Sequence, residues 1–430
     1  MSDNLLSIIA KKRHSLEKQG LPKTLLITST RPGVGSVGEL FLGKLCKSFA
    51  PNELLCTAGV SIYDVPVLDA DLKWLAIDTF QLPPEYPKQC AEERGLAKLK
   101  RRLQHFEILQ KDLKDQISKI IAAINEQNIE LLWFVLNSPS MVIIADAVLS
   151  QTDKPAMAIV WDPIGSTAEQ HGMDRRSKLK LEKIFDRVLL KMKSCGVASF
   201  GMKEYFAART NLPTRVLINI PNPSTKSSEH LPTDKLIVSF AGSLYAVNEF
   251  EALLESINRC EWKIANRTVE LQIFSRHFDV PRGIISKTMN LSLKGHVSED
   301  TLVEELASSH VAYLPYWFDK KYEKAVKICF PNKLAAYLAA GCPILFHGPQ
   351  NSSPAQFLSR YRVGICVSSL AHTDLINALK YLISDKEFLA NYSAERKRAL
   401  SEEINPESFE AGFLDLIETA VPAYRDSTVF

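Results

Sequence analysis

Twice along this chain, apolar runs of strand length alternate with longer stretches of helical spacing, and a proline-rich break parts the two series. The first set of runs falls at 24–29, 54–57, 131–136, 156–161, 197–200 and 216–220, and the second at 236–241, 269–274, 291–294, 311–315, 343–346 and 363–367. Short, almost wholly apolar runs joined by helices are the signature of parallel strands covered on both faces by crossover helices. The segment between the series, 221–232, holds Pro221, Pro223 and Pro232 among small polar residues and offers a core nothing. The pattern predicts an α/β protein of two tandem Rossmann-like domains, 1–225 and 226–405. A tail at 406–430 carries Phe409, Phe413, Leu416 and Ile417 at helical spacing, after the second series is complete.

The totals agree. A chain of 430 residues exceeds what one core sustains, and 46% hydrophobic with 23% charged residues supplies two. A net charge of +3 is far from that of a dedicated nucleic-acid binder. The eight cysteines show no C-x-x-C pair or metal-type spacing, which fits reduced thiols in a cytosol. The first residues lack a basic stretch followed by an apolar core, and no uncharged run approaches membrane-spanning length, so a cytoplasmic location is expected. Sequons such as that at Asn290 are then chance matches.

One insertion lengthens the first series, and helical spacing is expected over about 70–125. In its part from 94 to 119, eight basic residues outnumber Glu107, Asp112 and Asp115 by five, while Leu99, Leu103, Phe106, Leu113, Ile117 and Ile120 recur at three-to-four spacing. A basic amphipathic helix can lie on anionic lipid, peripheral to the inner face of a membrane. A helix that covers the sheet and keeps a solvated charged back gives the same pattern.

Three loops at predicted strand ends could meet an anion. Gly33, Gly35 and Gly38 match G-x-G-x-x-G, the dinucleotide turn, but Arg31-Pro32 separates them from the strand and no acidic residue ends the second run, which leaves an NAD(P)-dependent oxidoreductase as a weaker alternative. Gly242 and Ser243 follow the run at 236–241, where a glycine lets a phosphate approach the backbone; a plain tight turn is the other reading. In 330–345, Asn332 is the expected N-cap, Lys333 lies in the first turn, and Gly341 with Pro343 stops the helix. Helix amides, dipole and a lysine then meet at one spot, as phosphate binding requires. Asp162 directly follows the run at 156–161, where a carboxylate touches a sugar, serves as a base, or caps the next turn. His171 and Asp174 nearby are weaker candidates. No hydrolase triad or clustered metal-ligand set is present in the sequence.

Four stretches, in this order and spacing, carry a likeness to a known family: Arg31 to Gly35, Cys195 to Met202, Phe240 to Leu244, and Leu293 to Val297 through Leu314-Pro315-Tyr316 into Phe330 to Pro343. In them the chain resembles the GT-B glycosyltransferases, particularly the large retaining family four. The resemblance implies two Rossmann-like domains with a cleft between them and a C-terminal helix packing back across. It implies metal-independent transfer of a sugar from a nucleotide-diphosphate donor, a UDP-sugar first, to a glycan, lipid-linked or small-molecule acceptor, as in polysaccharide biosynthesis. The nucleotide-sugar would be a co-substrate, with no tightly bound cofactor. It would place Gly33 and Gly35 near the donor phosphates, Asp162 at the sugar or acceptor, Gly242 and Ser243 at the diphosphate, His296 and Val297 beside the base, and Lys333 with the backbone of Asn332 at the leaving group. Where the family commonly has two glutamates, this chain has Ile328 and Ala336, and Ser243 and Asn248 stand where an Arg/Lys pair is usual. Arg276, Lys327 and Lys333 are the cations left to neutralise a diphosphate, and Ser352 a hydroxyl for a ribose. A catalytically silent binding or scaffold protein of the same fold is therefore the alternative.

Overall fold

A computed structural model describes residues 20–60, 69–85, 105–224, 231–276, 278–279 and 290–422. The chain forms two compact units, Met1–Leu217 together with Glu407–Phe430, and Ile218–Pro406.

The first unit is built on β1 (Thr24–Thr28), β2 (Leu54–Val60), β3 (Ile77–Gln81), β4 (Leu131–Val135), β5 (Ala156–Val160), β6 (Ser194–Val197) and β7 (Thr214–Val216). They form one parallel sheet in the order β3-β2-β1-β4-β5-β6-β7. Every residue of β1, β4 and β5 is buried, as central strands covered on both faces must be. Edge strand β3 carries exposed Asp78, Thr79 and Gln81, so it lacks the apolar run that marks the central strands. The stretch expected to be helical over about 70–125 accordingly contains a strand, with helices from His105 onward. The expected strand at 197–200 lies earlier, at β6, because Ser199 accepts from the Met202 N–H and caps the helix Phe200–Ala207. The strand expected at 216–220 is likewise β7, ending at Val216.

The tail helix, Pro406–Ala420, returns to the core of the first unit. Phe413 tilts against Trp133 at 4.7 Å and Phe409 meets Phe41 edge-on at 5.0 Å. The Ser194 hydroxyl donates to the Leu416 carbonyl, and a Cβ on Gly196 would stand 3.0 Å from the Leu416 side chain. The small residues of β6 thus make room for that helix.

The second unit has β8 (Lys235–Ala241), β9 (Lys263–Ile264), β10 (Arg267–Phe274), β11 (Leu291–Leu293), β12 (Val311–Pro315), β13 (Ile344–His347) and β14 (Gly364–Val367). The parallel order is β11-β10-β8-β12-β13-β14, with β9 antiparallel on β10. Chain order reverses direction between β8 and β12, and in open α/β sheets that switch point, at the carboxyl ends of the strands, is where ligands bind.

Candidate functional site

β8 and β12 pair only at Val311 with Val238 and Ala312 with Ser239, and beyond that register they part. The hydroxyl of Tyr337 fills the gap: it accepts from the Ala241 N–H at 3.0 Å and donates to the Tyr313 carbonyl at 3.0 Å. Tyr337 is fully buried on the helix Asn332–Ala340. At the helix's far end Gly341 adopts φ +74, which glycine takes without cost, and Arg396 donates to the carbonyls of Leu338 (2.6 Å) and Ala339 (2.7 Å). The helix is therefore fixed at its middle and at its end.

One turn before Tyr337, Lys333 projects at the switch point. Its Nζ donates to the Ser243 carbonyl and lies 4.3 Å from the ring centre of Phe240 and 4.4 Å from that of Tyr245. Gly242 has φ +81, donates its N–H to the Phe274 carbonyl at 2.7 Å, and would crowd Lys333 Cε at 3.2 Å if it bore a Cβ. Two independent reasons thus require glycine there. Burial of the amine between two rings pushes the Lys333 ammonium down to about 7. The ring faces and the carbonyl favour the cation, but loss of water outweighs them. The residue as a whole is half-buried.

Aromatic side chains wall the lysine. Tyr245 packs on Trp317 at 4.5 Å, Trp317 donates its indole N–H to the Tyr245 carbonyl at 2.8 Å, and Tyr322 stacks on Trp317 at 4.4 Å. The buried Glu249 carboxylate accepts from the Phe318 N–H at 2.8 Å and so holds this wall from behind. Beside it, buried His347 lies 2.8 Å from both the Tyr313 hydroxyl and the Ser369 carbonyl. Burial lowers its pKa; its Nε2 donates to the Ser369 carbonyl, and the Tyr313 hydroxyl donates to the Glu249 carbonyl at 2.9 Å.

The remaining expected residues divide. Gly242, Ser243 and Lys333 come together; exposed Arg276 follows β10, and exposed His296 with half-buried Val297 follows β11, at the same carboxyl edge of the sheet. Lys327 is exposed and ion-paired with Glu323 at 2.7 Å on its own helix. Asn332 is the first helical residue and not the cap, which is Pro331, because proline's fixed φ suits that junction. Ser352 is fully buried and its hydroxyl caps the helix Ser353–Tyr361 through the Ala355 N–H, so it is not a ribose contact.

In the first unit the glycine loop is closed by its own helix. Gly35 donates its N–H to the Glu39 carboxylate at 2.7 Å, Gly33 donates to the Glu39 carbonyl at 3.1 Å, and Ser36 caps the helix Val37–Cys46. Where a donor phosphate was expected, a carboxylate of this chain already sits. Gly38 meets the Trp161 and Thr30 side chains so closely that a Cβ would lie 3.0 Å from the indole. Gly38 thus serves packing. Asp162 is exposed after β5 and does not cap, since Pro163 holds that position before the helix Ile164–Gln170. His171 ends that helix and Asp174 caps the next, Arg175–Lys191.

This fold defines a class. Sucrose-phosphate synthase of Thermosynechococcus elongatus superposes with a TM-score of 0.62 at 12% identity over 94% of this chain and 99% of the other. The α,α-trehalose 6-phosphate synthase of Burkholderia multivorans gives 0.58 at 11% identity over 95% and 99%. CalG4, the calicheamicin glycosyltransferase, gives 0.51 at 10% over 94% and 99%. The fold is that of the two-domain GT-B glycosyltransferases. More narrowly, residues 255–388 match the family described as Glucosyltransferase 3-like, C-terminal domain, a span that includes β10 to β14 and Lys333. No curated protein matches the chain.

Tyr337, Tyr245, Trp317, Glu249 and His347 escaped the sequence reading. Of these, Tyr337 alone had a signal, the four-residue spacing that puts it on the face of Lys333.

Proposed function

We propose that the protein is a glycosyltransferase that moves a sugar from a nucleotide-diphosphate donor, a UDP-sugar in the first instance, to a glycan, lipid-linked or small-molecule acceptor in the cytoplasm. The observation that carries the proposal is Lys333 held over the Gly242–Ser243 turn at the switch point of the second sheet. A glycosyl donor leaves behind a diphosphate, and the bond breaks as negative charge grows on it. Lys333 supplies a cation there, the start of the helix Asn332–Ala340 supplies amides, and the aromatic wall excludes water. Charge compensation is thus assigned to this chain's own groups. The match of residues 255–388 to a glucosyltransferase domain supports the same reading. Asp162, exposed at the carboxyl end of β5, is proposed to meet the sugar or acceptor, and His296 and Val297 the base.

Release of UDP from a panel of UDP-sugars, with and without acceptors, tests this. Turnover that Lys333→Met lowers by about 10² or more, the scale of losing one preorganised charge contact, is expected. The second reading, a silent binding or scaffold protein, is favoured by Ile328 and Ala336, which stand where the resemblance puts carboxylates. Nucleotide binding without release across the panel would establish it.

No helix among the described residues is long and apolar enough to cross a membrane. Peripheral contact through 94–119 loses its apolar component over the described part, since Phe106, Leu109, Leu113, Ile117 and Ile120 are buried. Residues 94–104 lie outside the described residues.

A further inference from the structure

The helix Arg175–Lys191 packs Leu181, Ile184, Phe185, Val188 and Leu189 into the first unit. Its exposed positions are six cations, Arg175, Arg176, Lys180, Lys183, Arg187 and Lys191, and two leucines, Leu179 and Leu190. No acidic residue of the helix is exposed; Glu182 and Asp186 are half-buried, and Asp186 is bonded to Arg209 at 2.7 Å. At roughly 100° per residue the exposed set spans an arc of about 160°. Leu179 and Leu190 are eleven residues apart, so they stand on one line along the helix, flanked by Arg175 on one side and Lys183 on the other.

Their exposures are 47% and 74%, unusual for leucine on a surface this charged. Lys180 pairs with Glu107 and Arg187 with Asp146, whereas Arg175, Arg176 and Lys183 have no carboxylate partner among the described residues. The exposed face therefore combines uncompensated positive charge with apolar side chains in its middle.

We infer that this face docks the protein on an anionic lipid bilayer. Charge complementarity selects the partner's sign, and the leucines select its kind. Lipid phosphates meet the flanking cations while Leu179 and Leu190 enter the headgroup–acyl boundary. A nucleic acid or other polyanion would use the cations and gain nothing from two leucines. The inference is independent of the sugar-transfer reading, since no residue of this helix belongs to the donor site.

Sedimentation of the whole chain with vesicles of phosphatidylglycerol and phosphatidylcholine tests it. Binding is expected to these vesicles, to weaken with salt, and to be absent with phosphatidylcholine alone. The double variant Arg176→Glu/Lys183→Glu should lower partitioning by more than about tenfold, at roughly fivefold per cation lost. Leu179→Ser/Leu190→Ser should lower vesicle binding several-fold yet leave retention on heparin unchanged. Both variants should bind nucleotide as the parent does. Failure of the parent to bind, vesicle binding unaffected by loss of the leucines, or a dimer that loss of the leucines dissociates would overturn the inference.

Discussion

Lys333 lies over Gly242 so closely that a single methyl group on that glycine would stand 3.2 Å from Cε. Gly242 is also left-handed, at φ +81. Gly242→Ala should therefore cost about 1–2 kcal/mol of stability from backbone strain and displace the lysine as well. Nucleotide affinity should fall about tenfold, more than a lost backbone preference explains. Urea titration and calorimetry on the same variant separate the two effects.

Tyr337→Phe deletes one hydroxyl and leaves the Ala241 N–H and Tyr313 carbonyl buried without it. A loss of about 1–3 kcal/mol is expected, the cost of stranding a buried polar group, with the urea midpoint lowered and its slope unchanged. Because the same hydroxyl bridges β8 and β12 one helical turn from Lys333, nucleotide affinity should fall too.

The lysine's depressed pKa has a sign that stability can show. The folded protein releases the Lys333 proton near 7 while the unfolded chain keeps it to about 10.5, so between these values the unfolded state binds more protons. Stability of the parent should therefore rise with pH over that window relative to Lys333→Met, which lacks the titration. Parallel urea titrations of the two proteins from about pH 6 to 10 provide the comparison.

Glu39→Ala removes the carboxylate that accepts the Gly35 N–H. It should cost about 1 kcal/mol, as a lost cap does, and leave nucleotide affinity as it was, because the phosphate contacts we propose lie in the second unit. A gain in affinity would instead return the glycine loop to the donor site.

Much of the fold was legible because buried parallel strands announce themselves as apolar runs: β1, β4, β5, β8, β10 and β12 each lie within a residue or two of the run that foretold them. Polar β3 and the small-residue strand β6 did not, since one is an edge and the other is thinned to admit Leu416. Gly242, Ser243 and Lys333, each expected from turn and helix chemistry, lie together in the structure. The aromatic wall was not expected, because Tyr245 comes from the connection after β8 and Trp317 with Tyr322 from the connection after β12, and the two meet only through tertiary packing. The glycine loop misled for a physical reason. Letters that build an anion nest also build a close helix packing, and Glu39 decides between them.

The central claim, that Lys333 is the cation that meets a donor's diphosphate, is tested most directly by calorimetry of UDP binding to the parent and to Lys333→Met at about pH 7 and 9. A bound phosphate favours the ammonium, so the parent should take up a proton on binding and bind more weakly at the higher pH. Lys333→Met should lose about 10- to 100-fold in affinity, the scale of one charge-assisted contact, and with it the pH dependence. Equal affinity of the two proteins at both pH values would contradict the account.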